Sequence, residues 1–325
     1  MRSIRYREAL CEAISEEMER DPNVMIMGEE VGHYNGAYKV TEGLLNKFGE
    51  KRVLDTPIAE SGFAGVAIGA SMVGLKPIVE FMTWNFSAVA FDQILNNAAK
   101  MRQMSGGQLN CSIVFRGPNA SAKQVGSQHS HAMEHFYATV PGLKVIAPAF
   151  PQDAKGLLKS AIRDADPVLC MESETLYSFK SEIDDSIDTI PIGKANLIKQ
   201  GSDVSLISYS RMTHVCLQAY DILEKQGIKC DVLDLRSLRP LDEEAIIKSA
   251  KKTGRVIVVH EGWPYGGVGA EISDRIQRLC FNYLNSPTLR VCSYDCPMPY
   301  NATLEAICIP DANRVVETVK RSVNF

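Results

Sequence analysis

Three groups of residues in this 325-residue chain have types and spacings that can do chemistry. The first is Glu60, within Asp55-Thr56-Pro57-Ile58-Ala59-Glu60-Ser61-Gly62-Phe63-Ala64-Gly65. An apolar run ends at Asp55, Pro57 stops regular pairing, and Glu60 stands just before a run of small residues. That position is the C-terminal edge of a strand, where open α/β sheets bind ligands. By pattern alone Glu60 reads equally as an exposed acid favouring a helix N-terminus through the macrodipole.

The second group is a histidine patch, His129, His131 and His135, which overlaps and follows the Gly/Ser/Asn-rich stretch 117–130. That stretch is long enough to be a functional loop, and imidazole transfers protons near pH 7. His131-Ala132-Met133-Glu134-His135 also satisfies H-x-x-E-H. Histidines four residues apart on one helix face would bind zinc with Glu134 as base, as in a metalloprotease. Against this, the run before Pro141 is barely two turns, and no third ligand motif follows. The third group is the nine cysteines, an odd number with no CxxC, most of them in apolar segments. Buried thiols in a reducing compartment explain them better than a disulfide framework. Cys292-x-x-x-Cys296 has the spacing of half a zinc site, but no second close pair follows it.

The elements that must position these residues follow from periodicity. Apolar runs at 24–27, 53–55, 77–81, 112–115, 144–147 and 168–171 predict strands. Between them, 5–19, 87–104 and 151–162 predict helices; the first carries Leu10, Ile14 and Met18 at helical spacing, and the second ends in Ser105-Gly106-Gly107. The polar, acidic, aperiodic stretch 178–190 reads as a linker. A second α/β pattern starts at Pro191, with strands at 204–209, 229–235, 256–260 and 289–291 and helices at 211–225, 242–251 and 268–281. The prediction is α/β, two doubly wound domains spanning 1–177 and 191–325, each with a mainly parallel sheet. The small residues of 62–70 let another helix approach closely, within the chain or at a subunit interface.

Apolar residues are 45% and charged residues 23%, with a formal charge of −4, so no broad basic field invites nucleic acid. No apolar run reaches the roughly 18–20 residues of a membrane helix. Met1-Arg2-Ser3-Ile4-Arg5 passes at once into the first helical pattern without an apolar leader. The sequence therefore reads as cytoplasmic, or as an organelle-interior protein after removal of targeting.

The stretch around Glu60 resembles the cofactor-activating motif of the transketolase-like pyrimidine-binding domain. Within that superfamily the chain resembles the β subunits of thiamin-diphosphate-dependent 2-oxo acid dehydrogenases. Gly28-Glu29-Glu30-Val31, Glu80-Phe81-Met82-Thr83-Trp84-Asn85-Phe86, Phe115-Arg116-Gly117-Pro118-Asn119 and Gln128-His129-Ser130 carry the likeness. Pro191-Ile192-Gly193-Lys194-Ala195, Asp234-Leu235-Arg236-Ser237-Leu238-Arg239-Pro240, Glu261-Gly262-Trp263-Pro264 and Pro297-Met298-Pro299-Tyr300 extend it, collinearly, over nearly the whole chain.

The resemblance implies a pyrimidine-binding domain followed by a transketolase C-terminal-like assembly domain. It implies that Glu60 hydrogen-bonds the pyrimidine N1′ of thiamin diphosphate and supports the imino tautomer that deprotonates thiazolium C2. It places Phe86 against the pyrimidine, Met82 and Ile58 around it, and His129 in acyl transfer to a lipoyl group. It also implies a monovalent cation, K⁺, on main-chain carbonyls near Ile113, Ala161, Asp164 and Asp166. No GDG segment is present, so Mg²⁺ and the diphosphate are expected on a separate α subunit, in an α₂β₂ heterotetramer docked to a dihydrolipoyl acetyltransferase core. The motifs favour the pyruvate branch, with acetoin-cleaving and branched-chain β subunits as rivals. A scaffold without enzymatic function would leave Glu60 and His129 dispensable.

Overall fold

The computed structural model describes residues 1–324. Its contacts divide the chain into two units: Met1–Asn119 with Phe136–Ile192, and Ala120–His135 with Gly193 onward. The histidine-bearing segment Ala120–His135 groups with the second of these units.

In the first unit six parallel strands lie in the order Lys144–Ile146, Val168–Ser173, Val114–Asn119, Lys76–Glu80, Val24–Gly28 and Val53–Asp55. Their side chains are almost wholly buried, as expected of parallel strands covered on both faces. Helix Tyr6–Arg20 lies against helix Pro151–Arg163 on one side of this sheet. Tyr6, Leu10, Ile14 and Met18 recur at helical spacing and share one core cluster with Leu157, Leu158, Ile162, Val24 and Ile78. Ion pairs line the seam between these helices: Lys155 and Lys159 each reach Glu16 at 2.7 Å, and Arg163 reaches Glu17 at 2.6 Å.

Two expectations are corrected here. The predicted linker contains a strand, Lys180–Ile183, antiparallel to Arg2–Arg5. Its polar residues are those of an exposed two-stranded ribbon, which periodicity cannot distinguish from a loop. The predicted helix 87–104 is broken into a 3₁₀ turn, Trp84–Ala88, a wide π turn, Gln93–Ala98, and a short helix, Met101–Met104. Side-chain bonds Asn96–Asp92 (2.6 Å) and Asn97–Gln93 (2.9 Å) run along the wide turn, where asparagine is a poor helix former.

The second unit is built on a sheet ordered Leu289–Val291, Val256–Val259, Val204–Ser208, Cys230–Asp234 and Asn196–Lys199. The first four are parallel; Asn196–Lys199 pairs antiparallel at the edge and was not foreseen. The C-terminal helix Ala312–Val323 was also missed, although Val315, Val316 and Val319 form a buried stripe against Val204, Val232 and Val259. Asp311 caps it by accepting from the Arg314 N–H at 2.8 Å.

Candidate active site

Parallel strands end together at the edge that carries Glu60. Gly28 pairs with both Asp55 and Glu80, and a side chain there would meet the Glu80 carbonyl at 2.5 Å, so only glycine fits. The Asp55 carboxylate accepts from the N–H groups of Gly32 (2.6 Å) and His33 (3.0 Å), and the Thr56 N–H donates to the Gly28 carbonyl at 2.9 Å. These bonds tie the turn after Val53–Asp55 to the end of Val24–Gly28. The chain then enters helix Glu60–Met72 at Glu60, which is buried at 7% exposure although its side chain is an acid. The exposed-acid reading of Glu60 is thereby removed.

A second buried acid stands within its electrostatic reach. Glu29 follows strand Val24–Gly28, and its Oε1 has no hydrogen-bond partner in the protein. Burial, and then the negative charge of Glu60, push the Glu29 carboxyl above the ordinary carboxylate range. An orphaned, buried carboxyl oxygen beside another acid marks a place built for a polar group from outside the chain. The sequence patterns assign Glu29 no role. The signal that could have found it was an acid directly after a strand-ending glycine.

The next strand positions the aromatic part of the site. After Lys76–Glu80, Phe81 stacks on Phe115, with centroids 5.9 Å apart and planes 8° apart. Trp84 is fully buried and donates its indole N–H to the Cys170 carbonyl at 3.1 Å. With Phe81 and Trp84 anchored inward, Met82 and Phe86 are left half-buried on the same turn. Ile58 is 84% exposed in this chain.

At the centre of the sheet Arg116 is buried between Glu80 and Glu172, with Nε donating to Glu172 at 2.7 Å. The Tyr177 hydroxyl donates to Glu172 at 2.8 Å. Burial, only partly offset by Arg116, holds the Glu80 carboxyl above its ordinary value. This trio braces the ends of three neighbouring strands.

The carbonyls proposed for a cation lie in one region of the first unit. Ile113 accepts from the Val168 N–H at 3.0 Å, Ala161 from the Asp164 N–H at 3.2 Å, and Asp164 from the Ser112 hydroxyl at 2.6 Å. The side chains of Asp164 and Asp166 are engaged by Lys144 and Arg102. Main-chain oxygens with one lone pair each remain as donors.

His129 is exposed, in the short turn Ser127–His129 of the second unit. Its loop has positive φ at Ala120, Lys123 and Gln124, and is tied down from two sides. Glu261 accepts from the Ser121 N–H at 2.9 Å, and Glu305 accepts from the Ser121 hydroxyl (2.7 Å) and the Gln124 N–H (2.9 Å).

Both zinc readings fail. The helix begins only at Glu134, so His131 lies outside it and shares no helix face with His135. Glu134 accepts from the Tyr209 hydroxyl at 2.8 Å, while His131 and His135 lie against Trp263. Cys296 lies against Cys308, not Cys292, with 3.6 Å between sulfurs. Among the described residues, no group of three His, Cys, Asp or Glu side chains is placed to hold a metal ion.

Comparison with known proteins agrees with this architecture. Residues 2–180 match the transketolase pyrimidine-binding domain, and residues 193–315 match the transketolase C-terminal domain. A solved split-gene transketolase, an inactive β4 tetramer, superposes with a TM-score of 0.80 over 99% of this chain and 98% of its own, at 23% identity. The fold is thus that of the transketolases. A pyruvate dehydrogenase E1 component β subunit from Rickettsia felis is 49% identical over 98% of both chains. The mitochondrial β-2 subunit from Oryza sativa subsp. japonica is 51% identical over 97% of this chain and 85% of its own. The mitochondrial β subunit from Dictyostelium discoideum is 47% identical over 98% and 91%. The chain belongs to the family of pyruvate dehydrogenase E1 component β subunits. Among the described residues, no helix is long and apolar enough to cross a membrane.

Proposed function

We propose that this chain is the β subunit of a thiamin-diphosphate-dependent pyruvate dehydrogenase and supplies the pyrimidine side of a site completed by an α subunit. The observation that carries the site assignment is the buried Glu60 carboxylate beside the unpartnered oxygen of Glu29. Thiamin diphosphate, when bound, supplies the electron sink for loss of carbon dioxide from a 2-oxo acid. Glu60 holds and moves a proton at the pyrimidine N1′ atom. Glu29 keeps a second acid close by whose proton is retained more readily than usual. Met82 and Phe86 offer a thioether and an aromatic face to a flat heterocycle, and Ile58 extends that apolar surface. His129, exposed on its braced loop, is the proton-transfer group for delivery of the acetyl group to a lipoyl acceptor.

Mg²⁺ and the diphosphate belong to the α subunit in this reading, since the chain has no GDG segment. The carbonyls near Ile113, Ala161, Asp164 and Asp166 are the donors for K⁺. The second unit serves assembly: an α₂β₂ heterotetramer, and docking to the dihydrolipoyl acetyltransferase core. The 2-oxo acid is pyruvate. The family assignment supports it over the acetoin and branched-chain alternatives, although one or two methylenes change selectivity by only ~10–200-fold.

The test is co-expression with the α-like partner, followed by assays of pyruvate, branched 2-oxo acids and acetoin. Cofactor-dependent turnover of pyruvate only with both chains present is expected. Sub-micromolar binding of thiamin diphosphate by this chain alone, or a preference for acetoin, would overturn the reading.

A further inference from the structure

The second unit holds a pair of thiols that the proposed activity does not use. Cys296 lies in the irregular segment after strand Leu289–Val291, and Cys308 ends helix Ala302–Cys308. Their sulfurs are 3.6 Å apart, in van der Waals contact, although they are twelve positions apart in the sequence. Cys296 is half-buried and accessible, whereas Cys308 is buried. A disulfide requires about 2.05 Å between sulfurs, so closure asks for about 1.5 Å of approach. Of the other thiols, Cys111, Cys170, Cys216, Cys230, Cys280 and Cys292 are buried, and only Cys11 is comparably accessible.

Both cysteines sit on elements that hold the histidine segment. Glu305, one helical turn before Cys308, accepts the two bonds from Ser121 and Gln124 that brace the loop carrying His129. The Cys296 carbonyl accepts the Trp263 indole N–H at 3.2 Å, and the Trp263 ring lies 5.5 Å from that of His131. Tyr300, between the two cysteines in sequence, faces Gly126 of the same loop. The loop's positive-φ residues Lys123 and Gln124 adopt a conformation that persists only while its surroundings impose it. A displacement of the 296–308 segment therefore releases contacts at both ends of the histidine segment.

We propose that Cys296 and Cys308 form a reversible redox-modification site, and that closing their disulfide loosens the loop bearing His129. The oxidant is a hydroperoxide. The Cys296 thiolate attacks the peroxide, the O–O bond breaks, and a sulfenic acid forms with release of hydroxide, which is protonated to water. Cys308 sulfur then attacks Cys296 sulfur, the S–O bond breaks, and the leaving hydroxide takes the Cys308 proton as a second water. Two thiols lose two electrons, and one hydrogen peroxide becomes two waters. Burial holds the Cys308 thiol above its usual range, so its attack on the sulfenic acid is coupled to loss of its proton to the departing hydroxide.

The disulfide can be tested independently of the reading of His129. The full-length chain is treated with a small excess of hydrogen peroxide and alkylated under denaturing conditions, before and after a dithiol reductant. The non-reduced digest is then analysed by mass spectrometry. The expected result is a single Cys296–Cys308 cross-linked peptide, a fall from nine titratable thiols to seven, and full recovery on reduction. Amide hydrogen exchange over residues 120–131 should rise by an order of magnitude or more in the oxidised chain. It should stay unchanged in peroxide-treated Cys296→Ser and Cys308→Ala. Nine thiols after treatment, or irreversible oxidation of Cys296 alone, would overturn the site. A disulfide with unchanged exchange over 120–131 would overturn its coupling to the loop.

Discussion

Glu29 and Glu60 are both buried at one edge of the first sheet, and the charge of Glu60 adds to burial in raising the Glu29 carboxyl. Two acids from two elements, one with an oxygen that nothing in the protein satisfies, make this edge the candidate site for the proposed proton transfer. An acid pair of this kind destabilises the folded chain in exchange for a poised group.

Replacing Glu60 with glutamine keeps its size but removes the proposed proton shuttle. In the assembled enzyme, hydrogen–deuterium exchange at thiazolium C2 and turnover should fall by roughly 10²–10⁴-fold, the usual worth of a general acid–base group. Far-UV circular dichroism should be unchanged. Exchange at the wild-type rate would remove Glu60 from the reaction.

Glu29→Gln should reveal a pH-dependent cost. Below about 4.5 the carboxyl is protonated in folded and unfolded chains alike and contributes nothing. As pH rises, the unfolded chain ionises first, so the folded state loses stability relative to it. Thermal melts from pH 4 to 8 should show the variant gaining on wild type as pH increases. A difference independent of pH would mean that Glu29 is not held above its ordinary range.

His260 should act in the opposite direction along the pH axis. It is fully buried, neither ring nitrogen has a partner, and burial pushes its pKa from 6.5 down to about 3. Its contribution is complete above about 6.5 and drains away as pH falls toward 3, because only the unfolded chain takes up the proton. His260→Gln should therefore flatten the stability profile between pH 6.5 and 4, as read by denaturant titration at each pH.

Arg116→Met leaves Glu80 and Glu172 buried without their counter-charge and should cost about 3–5 kcal/mol in chemical denaturation. Arg116→Lys should not rescue it, since an ammonium cannot span both carboxylates as the guanidinium does. Neutralising both acids in the Arg116→Met background should recover most of the loss. Failure to recover it would place the effect elsewhere than in the charge trio.

His129→Ala should slow acetylation of a lipoyl domain more than decarboxylation measured with an artificial electron acceptor. Its exposed position on a loop braced by Glu261 and Glu305 leaves the fold intact. Equal losses in both assays would deny His129 a role specific to acyl transfer.

The sheets of both units were legible in the sequence because parallel strands buried on both faces appear as short apolar runs. Val53–Asp55 and Leu289–Val291 fall where the pattern put them. Elements whose residues are polar or exposed, such as Lys180–Ile183 and the edge strand Asn196–Lys199, carry no such signal and were missed. Glu60 was legible as an acid at a strand edge, but pattern alone left its burial open.

The order of residues thus determined where each buried strand lies, which acid follows which strand, and which loop carries the histidines, because local hydrophobic period and turn chemistry act over a few residues. Only the tertiary structure decided that Glu29 feels the charge of Glu60, that Arg116 bridges Glu80 and Glu172, and that Cys296 meets Cys308 rather than Cys292. Each of those relations joins residues 12 to 56 positions apart, brought together by parallel strand pairing or by packing around a core. Register and packing are cooperative properties of the whole sheet, so no window of sequence contains them.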